Sequence, residues 1–171
     1  MKIILLGYMG SGKSTIGHLL SERLAIGFID LDAEIEERVK LSVSEYFDRF
    51  GELRFRKLER EVLLDILGRS ESMVIATGGG TPCYGDALEQ MKSHSDAVTI
   101  YLKASIATLT DRLINQKDSR PLIQQLTSAE LPEFIGKHLF ERSHFYLQAD
   151  HVVPIDAQDQ QTISEEILAL L

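Results

Sequence analysis

The sequence predicts an α/β fold in which a five-stranded parallel sheet is flanked by helices in three layers. Two observations lead to this prediction. Short apolar runs, typical of strands buried on both faces, alternate along the chain with segments whose apolar residues recur at helical spacing. A glycine-rich turn of the kind that joins a strand to a helix also follows the first apolar run directly. Such strand–helix alternation favours a parallel sheet with helices on both faces.

The predicted strands follow one another at regular intervals. The first apolar run covers residues 2–6, and from Ser14 onward the apolar residues are spaced as on one face of a helix. A short second strand covers residues 28–30. Longer helical patterns then separate three further apolar runs, which predict strands at residues 73–76, 97–102 and 151–155.

Local signals mark where several helices begin. Ser42 and Glu45 have the spacing of a capping box, in which each side chain bonds to the backbone N–H of the other. Pro132 suits the first turn of a helix, where its missing N–H carries no cost. We expect Thr162 and Glu165 to cap the last helix in the same way as the first pair.

Size and charge limit the classes of protein to consider. The 171 residues suit a single domain spanning 1–171, and no apolar run reaches the length of a membrane span. The net charge of −8 argues against nucleic acid as a partner, because phosphate binding needs clustered cations. Cys83 is the one cysteine, which fits a reducing compartment. We therefore expect a cytoplasmic protein with small-molecule partners and no membrane contact, and a monomer in the absence of a long exposed apolar stripe.

The glycine-rich turn GYMGSGKS, residues 7–14, matches the P-loop pattern G-x-x-x-x-G-K-[ST] in full. Its glycines, among them Gly10 and Gly12, allow the backbone N–H groups to converge on phosphate oxygens. Lys13 supplies a positive charge for the β- and γ-phosphates, and the Ser14 hydroxyl can bind Mg²⁺. The loop predicts a nucleoside triphosphate ligand but does not distinguish kinases from GTPases.

Two carboxylates follow the second predicted strand. Asp30 and Asp32 are two positions apart, so on an extended segment their side chains point the same way. We expect Asp30 to face the metal, through water, and Asp32 to orient or deprotonate an acceptor hydroxyl. The alternative is a solvated turn in which Asp32 caps the next helix.

A run of three glycines, Gly78, Gly79 and Gly80, follows the third predicted strand. Ligands of open parallel sheets bind at the carboxyl ends of the strands, and glycines let backbone amides touch such a ligand. The run is therefore a candidate substrate site, and the alternative is a flexible turn.

Two arginines are candidates for binding an anionic substrate. Arg56 follows Glu52 by four residues, so a surface ion pair is an equally good interpretation. Arg142 shares a helical stripe with Leu139 and Tyr146, and a guanidinium on an inward face needs an anionic partner.

Residues 115–126 are polar, contain Pro121 and have no clear periodicity. We interpret them as an exposed loop and place a candidate lid at about residues 112–126. Arg120 can fold from this loop over the phosphates and stabilise charge in the transition state, or remain a solvated cation.

Six segments taken in order carry a family resemblance: GYMGSGKSTIG, FIDLD, FGELRFRKLE, ATGGGTP, SRPLI and RSHFYLQAD. Together they resemble the shikimate kinase family over residues 2–155. The resemblance implies the fold of nucleoside monophosphate kinases, with a mobile lid. It also implies the transfer of the γ-phosphoryl group of ATP to the 3-hydroxyl of shikimate, which yields ADP and 3-phosphoshikimate on the route to chorismate and the aromatic amino acids.

The resemblance also implies a role for each matching residue. Lys13, Asp32 and Arg120 would be catalytic, and Ser14 and Asp30 would hold Mg²⁺. The ATP-binding residues would be Gly10, Ser11, Gly12, Lys13, Ser14, Thr15, Arg112 and Arg120, with Arg112 stacked on adenine. The shikimate-binding residues would be Asp32, Arg56, Gly78, Gly79, Gly80 and Arg142.

One spacing departs from the family pattern. Arg112 precedes Arg120 by eight residues instead of seven, which suggests one extra residue at the entrance of the lid. The family's second adenine contact falls near residues 154–158. Two other interpretations remain: a kinase of another small hydroxy acid such as gluconate, and a regulatory module that binds nucleotide without catalysis.

Overall fold

The computed structural model describes residues 1–116 and 120–171. Within these ranges the strands form one sheet with the order β2-β3-β1-β4-β5, and all neighbours are parallel. The strands are β1 (Lys2–Leu6), β2 (Gly27–Asp30), β3 (Met73–Ala76), β4 (Ala97–Lys103) and β5 (His151–Pro154). The predicted five-stranded parallel sheet is therefore confirmed, with strand ends within one residue of those expected.

The described helices connect and flank these strands. They are α1 (Lys13–Leu24), α2 (Leu31–Val39), α3 (Val43–Phe50), α4 (Glu52–Gly68), α5 (Ala87–Ser93), α6 (Ile106–Ile114), α7 (Pro121–Gln124), α8 (Leu131–Tyr146) and α9 (Gln160–Leu168). None of the helices in the described part of the chain is long and apolar enough to cross a membrane.

Strand β1 shows why the sheet is buried on both faces. Its residues alternate between two apolar clusters: Ile3 and Leu5 belong to one, Ile4 and Leu6 to the other. Helices α1, α6 and α9 pack on the first face, and α2, α4 and α5 pack on the second. A strand that is covered twice has no polar side, which explains its continuous apolar sequence.

The strand order determines where a ligand can bind. Strands β2 and β3 lie on one side of β1, and the later strands β4 and β5 lie on the other side. The connections therefore diverge at the carboxyl end of β1, and this divergence opens a crevice between neighbouring connections. The glycine-rich turn lies in that crevice.

Two predicted helix starts are confirmed and one is wrong. Ser42 and Glu45 form the expected capping box at α3, and Pro132 lies in the first turn of α8. The last helix starts at Gln160 instead, with Asp159 as its cap and the backbone N–H of Thr162 as the donor, 2.8 Å away. An aspartate accepts this bond as well as a threonine does, so the earlier residue takes the cap.

The candidate lid is less exposed than its sequence suggests. Residues 117–119 lie outside the described part of the chain. The remainder of the predicted loop includes α7, whose Ile123 is fully buried in the first apolar cluster, whereas Leu122 is 64% exposed. Among the described side chains of α7, Ile123 is the buried one, and one apolar residue shows no periodicity, so the pattern predicted a loop where a short helix forms.

Candidate active site

The phosphate-binding loop runs from the end of β1 to the start of α1. Gly12, the residue before α1, has a φ of 94°, a left-handed conformation that glycine adopts without strain. The free N–H groups at the start of α1 therefore face the crevice, where an anion is favoured. Lys13 donates hydrogen bonds to the carbonyls of Gly7 (2.8 Å) and Tyr8 (3.0 Å), and burial lowers the pKa of its ammonium group to about 8.

A hydroxyl and a carboxylate meet beside this loop. Ser14 Oγ donates a 2.7 Å hydrogen bond to Asp30 Oδ2, and the other oxygen of Asp30 accepts from the backbone N–H groups of Asp32 and Ala33. Asp30 is thus the cap of α2, and Asp32 lies in the first turn of that helix.

The reasoning that placed both carboxylates on an extended segment is therefore wrong. Asp30 ends β2 and Asp32 is already helical, because Asp30 is a strong capping residue and starts the helix directly after the strand. The turn of backbone between them nevertheless leaves both residues on the wall of the same cavity.

Asp32 is the titratable group whose environment is most relevant to chemistry. Burial raises its pKa from 3.8 to about 6, and the neighbouring charges of Asp30 and Glu59 act in the same direction, against the opposing charge of Lys13. A carboxylate with a raised pKa in a cavity is a candidate acid–base group.

Two adjacent cavities lie at the site. The larger one, of about 700 Å³, extends along the phosphate-binding loop. Arg112 closes one side, and its guanidinium donates to the carbonyls of Gly10 (3.2 Å) and Ser11 (3.3 Å). The structure brings every predicted ATP-binding and metal-binding residue to this cavity: Gly10, Ser11, Gly12, Lys13, Ser14, Thr15, Asp30, Arg112 and Arg120.

The smaller cavity, of about 280 Å³, contains every predicted substrate-binding residue. These residues come from α2, α4, the glycine run after β3, and α8: Asp32, Arg56, Gly78, Gly79, Gly80 and Arg142. Among the described residues, four line both cavities: Met9, Asp32, Gly79 and Arg120. A ligand in one cavity is therefore adjacent to a ligand in the other.

Arg56 is held more firmly than its sequence context suggested. The expected pair with Glu52 is present at 3.5 Å, but Glu59, which is 3% exposed, accepts a shorter bond of 2.8 Å from Arg56 Nη1. Glu59 also accepts from Thr81 Oγ1 at 2.7 Å. The ring of Tyr84 covers the guanidinium with its centroid 4.0 Å away.

The sequence reasoning assigned no role to Glu59 or Tyr84. The spacing of Glu59, three residues after Arg56 on one helix, was a usable signal for their contact. The contact with Tyr84 joins separate elements, and no local pattern indicates it.

Arg142 and Arg120 differ in their surroundings. Arg142 is half-buried on the inward side of α8, with its guanidinium 5.9 Å from the centre of the Tyr8 ring. Arg120, at the start of α7, donates to Gln116 Oε1 at 3.1 Å, and burial lowers the pKa of its guanidinium.

The second adenine contact near residues 154–158 stays a prediction. Among the described residues after β5, those that line the larger cavity are Gln160 and Ile163 of α9, and not residues 154–158. Asp156 Oδ1 instead accepts a 3.0 Å hydrogen bond from the backbone N–H of Ser105. The helix start therefore projects further into the cavity than the loop that precedes it.

A phosphate-binding loop and a cavity lined by arginines meet at one carboxylate. Phosphoryl transfer to an alcohol requires this proximity of nucleotide, base and acceptor. The fold and the site thus define the class of P-loop small-molecule kinases.

Comparison with known proteins narrows this class. The family model for shikimate kinase matches residues 9–171. The chain is 48% identical to a shikimate kinase of Flavobacterium johnsoniae and 44% identical to one of Flavobacterium psychrophilum, with 99% of this chain and 98% of each relative covered. The chain therefore belongs to the shikimate kinase family.

Solved structures agree with this assignment. The crystal structure of shikimate kinase from Bacteroides thetaiotaomicron matches with a TM-score of 0.93 at 37% identity, covering 99% of this chain and 97% of that one. The shikimate kinase of Acinetobacter baumannii, solved in complex with shikimate, matches with a TM-score of 0.88 at 29% identity, covering 99% and 91%.

Proposed function

We propose that this protein transfers the γ-phosphoryl group of ATP to the 3-hydroxyl of shikimate, forming 3-phosphoshikimate and ADP. The observation that carries the proposal is the position of Asp32 on the shared wall of the two cavities. Nucleotide bound along the phosphate-binding loop and an acceptor bound among the arginines would both contact this carboxylate.

The chemistry assigns a role to each group around the transferred phosphoryl. Asp32 accepts the proton of the acceptor hydroxyl. The hydroxyl oxygen forms a bond to the γ-phosphorus, and the bond between the γ-phosphorus and the bridging oxygen of the β-phosphate breaks, so that ADP leaves. Lys13 and Arg120 supply positive charge to the phosphate oxygens during this step. The raised pKa of Asp32, at about 6, makes it a stronger base than an exposed aspartate while it is still ionised at neutral pH.

The arginines account for selection of a carboxylate substrate. Guanidinium groups bind carboxylates through paired hydrogen bonds, and Arg56 and Arg142 line one small cavity. Glu59 and Tyr84 hold Arg56 in place, so little entropy is lost when the substrate binds. The relative from Acinetobacter baumannii, which was solved with shikimate, supports the choice of ligand.

The residues beside the loop suit Mg²⁺. Ser14 Oγ and Asp30 Oδ2 are two hard oxygen donors 2.7 Å apart on the wall of the nucleotide cavity. Among residues 1–116 and 120–171, no group of three or more His, Cys, Asp or Glu side chains is arranged to hold a metal ion. This fits an ion that keeps water and phosphate oxygens as its remaining ligands. When bound, Mg²⁺ would neutralise charge on the β- and γ-phosphates.

Several broader properties belong to the same proposal. We assign residues 1–171 to a single domain with a lid at about residues 112–126. We further propose a cytoplasmic monomer whose partners are ATP and shikimate. The net charge of −8 supports the exclusion of nucleic acid.

A coupled assay of ADP release tests the proposed reaction. ADP should appear in the presence of shikimate, and not with quinate, gluconate or ATP alone. Chelation of divalent cations should stop the reaction, and added Mg²⁺ should restore it. Release of ADP with gluconate would identify another hydroxy acid kinase, and slow release without any acceptor would identify a nucleotide-hydrolysing module.

The variant Asp32→Asn tests the role of the shared carboxylate. Turnover should fall by at least about 100-fold, the scale of general-base catalysis, while ATP binding measured by titration stays close to normal. Asp48→Asn, an exposed residue of α3, is the matched control. Loss of ATP binding in Asp32→Asn would instead place this carboxylate in the nucleotide site.

A further inference from the structure

Tyr146, the last residue of α8, connects this helix to the glycine run after β3. Its side chain is fully buried, and its hydroxyl donates a 2.5 Å hydrogen bond to the carbonyl oxygen of Gly79. Its ring packs against that of Tyr101 with centroids 5.0 Å apart. A buried phenol needs a hydrogen-bond partner for its hydroxyl. Here the partner, Gly79, lies in the wall of the smaller cavity.

Gly79 occupies a narrow position between the two ligand cavities and lines both. A Cβ atom at Gly79 would lie 3.4 Å from the backbone nitrogen of Met9 and 3.6 Å from the carbonyl oxygen of Gly7. The Gly79 peptide therefore packs directly on the phosphate-binding loop. A rotation of this peptide would change the wall of the smaller cavity, which is the proposed acceptor cavity, and the distance between that wall and the phosphate-binding loop.

Arg142 lies one helical turn before Tyr146 on α8. Burial raises the pKa of the Tyr146 phenol, and the nearby positive charge of Arg142 opposes this rise. Because Tyr146 and Arg142 lie on the same helix, the hydrogen bond from Tyr146 to Gly79 links the helix that contains Arg142 to the glycine run. Gly79 and Arg142 line the acceptor cavity, whereas Tyr146 is not among its described lining residues.

We propose that Tyr146 is a positioning residue for the acceptor site, because its hydroxyl fixes the Gly79 peptide relative to the Arg142 guanidinium before the substrate arrives. The proposal rests on the proposed function, since the acceptor is taken to be shikimate. It goes further in assigning preorganisation of the cavity to one buried hydroxyl that does not itself line that cavity.

The variant Tyr146→Phe isolates this hydroxyl, because the ring and its packing stay in place. The Gly79 carbonyl loses its hydrogen bond from Tyr146, and the link between the glycine run and the helix that contains Arg142 is removed. We expect the KM for shikimate to rise by about 5- to 10-fold, the effect of one ordinary hydrogen bond. The KM for ATP should change less than twofold, because the phosphate-binding loop has its own backbone contacts.

Tyr101→Phe is the matched control. It removes a hydroxyl from the neighbouring ring in the same apolar cluster, and Tyr101 is not among the described residues that line either ligand cavity. Its kinetic constants should equal those of the unmodified protein. If both variants raise the KM for shikimate equally, the effect comes from the packing of the core, and the proposal is overturned.

A double-mutant cycle with Arg142→Ala tests the coupling directly. If Tyr146 acts through Arg142, the loss of its hydroxyl should have a smaller effect on the KM for shikimate when Arg142 is already absent. Fully additive effects together with an unchanged Gly79 amide resonance in Tyr146→Phe would contradict the proposed link. Should Tyr146→Phe fail to fold, the hydroxyl proton of Tyr146 can be followed by NMR in the unmodified protein. It should shift on addition of shikimate, and the absence of a shift would also overturn the proposal.

Failure of this inference is distinguishable from failure of the proposed function. If the unmodified protein releases no ADP with shikimate, the proposed function fails. If it does so, and Arg142→Ala weakens the use of shikimate while Tyr146→Phe has no effect, the role of Tyr146 alone fails.

Discussion

At the scale of single residues, Asp32, the proposed general base, lies in an environment that disfavours its charge. Its carboxylate is half-buried, close to Asp30 and Glu59, and Lys13 compensates this unfavourable environment in part. The result is a pKa raised to about 6, which means that the folded protein disfavours the ionised form. At neutral pH the group is nevertheless ionised, as a general base must be.

The stability of Asp32→Asn should reveal the cost of ionising Asp32. Because the pKa of Asp32 rises from 3.8 in the unfolded chain to about 6 in the folded protein, the folded state binds the proton more tightly. Stability from this group is present below pH 4 and is lost as the pH rises through about 6. Asparagine mimics the neutral form, so the variant should be more stable than the unmodified protein at pH 7 by about 1 to 3 kcal/mol.

Denaturant unfolding of both proteins, without nucleotide and with a chelator, measures this difference. The gap between the two free energies of unfolding should shrink as the pH falls and should vanish near pH 4. Asp48→Asn, at an exposed residue of α3, is the control for the substitution itself. A variant that is less stable than the unmodified protein at pH 7 would show that Asp32 makes favourable contacts as an anion.

At the scale of elements, the glycine run after β3 is shaped by the side chains that press against it. A Cβ atom at Gly80 would lie 2.7 Å from Arg56 Nη2 and 3.1 Å from the central carbon of its guanidinium. The backbone of Gly80 has a φ of −92°, which any residue can adopt. The glycine is therefore required for the close approach of Arg56 and not for the turn itself.

Gly80→Ala should consequently impair substrate binding more than folding. The added methyl group displaces the guanidinium end of Arg56 and leaves the backbone in place, so we expect a melting temperature within a few degrees of normal. The KM for shikimate should rise about tenfold or more, since a displaced arginine gives up a charge-assisted contact. Gly68→Ala is the control, because a Cβ atom there meets nothing within 4 Å. Equal kinetic effects from both substitutions would contradict the steric argument.

The elements also show how far local pattern carries a prediction. The strands and the phosphate-binding loop were predictable because burial on both faces and phosphate binding each demand a characteristic sequence. The starts of α2 and α9 were not predictable, because several neighbouring residues can each cap a helix. In the structure Asp30 caps α2 and Asp159 caps α9. Helix α7 was not predicted, because Ile123 is the buried residue among its described side chains and one residue shows no helical periodicity.

The candidate site was predictable as a set of residues but not as a geometry. Motifs named Arg56, Arg142 and Asp32 individually, and the structure brings them to one cavity. The supporting contacts of Tyr84 and Tyr146 join elements distant in sequence, the first to Arg56 and the second to Gly79. Such tertiary contacts depend on the packing of α4 and α8 against the glycine run, which local periodicity does not encode.

At the scale of the whole molecule, the cleft differs in charge balance from the acidic protein around it. The net charge is −8, yet the described walls of the two cavities contain five basic residues, Lys13, Arg56, Arg112, Arg120 and Arg142, and four acidic ones, Asp30, Asp32, Glu36 and Glu59. The local field in a cleft can differ in sign from the overall charge. Both proposed substrates are anions, so the cleft suits them better than the net charge of the protein suggests.

Arg120 occupies the position in this cleft where the two ligands would meet. It lines both cavities, and it stands at the start of α7, which the buried Ile123 anchors to the core. We propose that from this position the guanidinium contacts the transferred phosphoryl group, and that Arg56 and Arg142 bind the acceptor carboxylate. The contribution of Arg120 should therefore appear in the transition state and not in the binding of shikimate.

Arg120→Ala should accordingly lower kcat by about 100-fold or more, the scale of a lost electrostatic contact in a transition state, while the KM for shikimate changes only a few-fold. Steady-state kinetics with each substrate varied in turn separates these effects. Arg49→Ala, an exposed arginine at the end of α3, should leave both constants unchanged. If Arg120→Ala instead leaves kcat unchanged and raises the KM for shikimate, Arg120 binds the acceptor in the ground state. Charge stabilisation would then depend on Lys13 and the amides of the phosphate-binding loop.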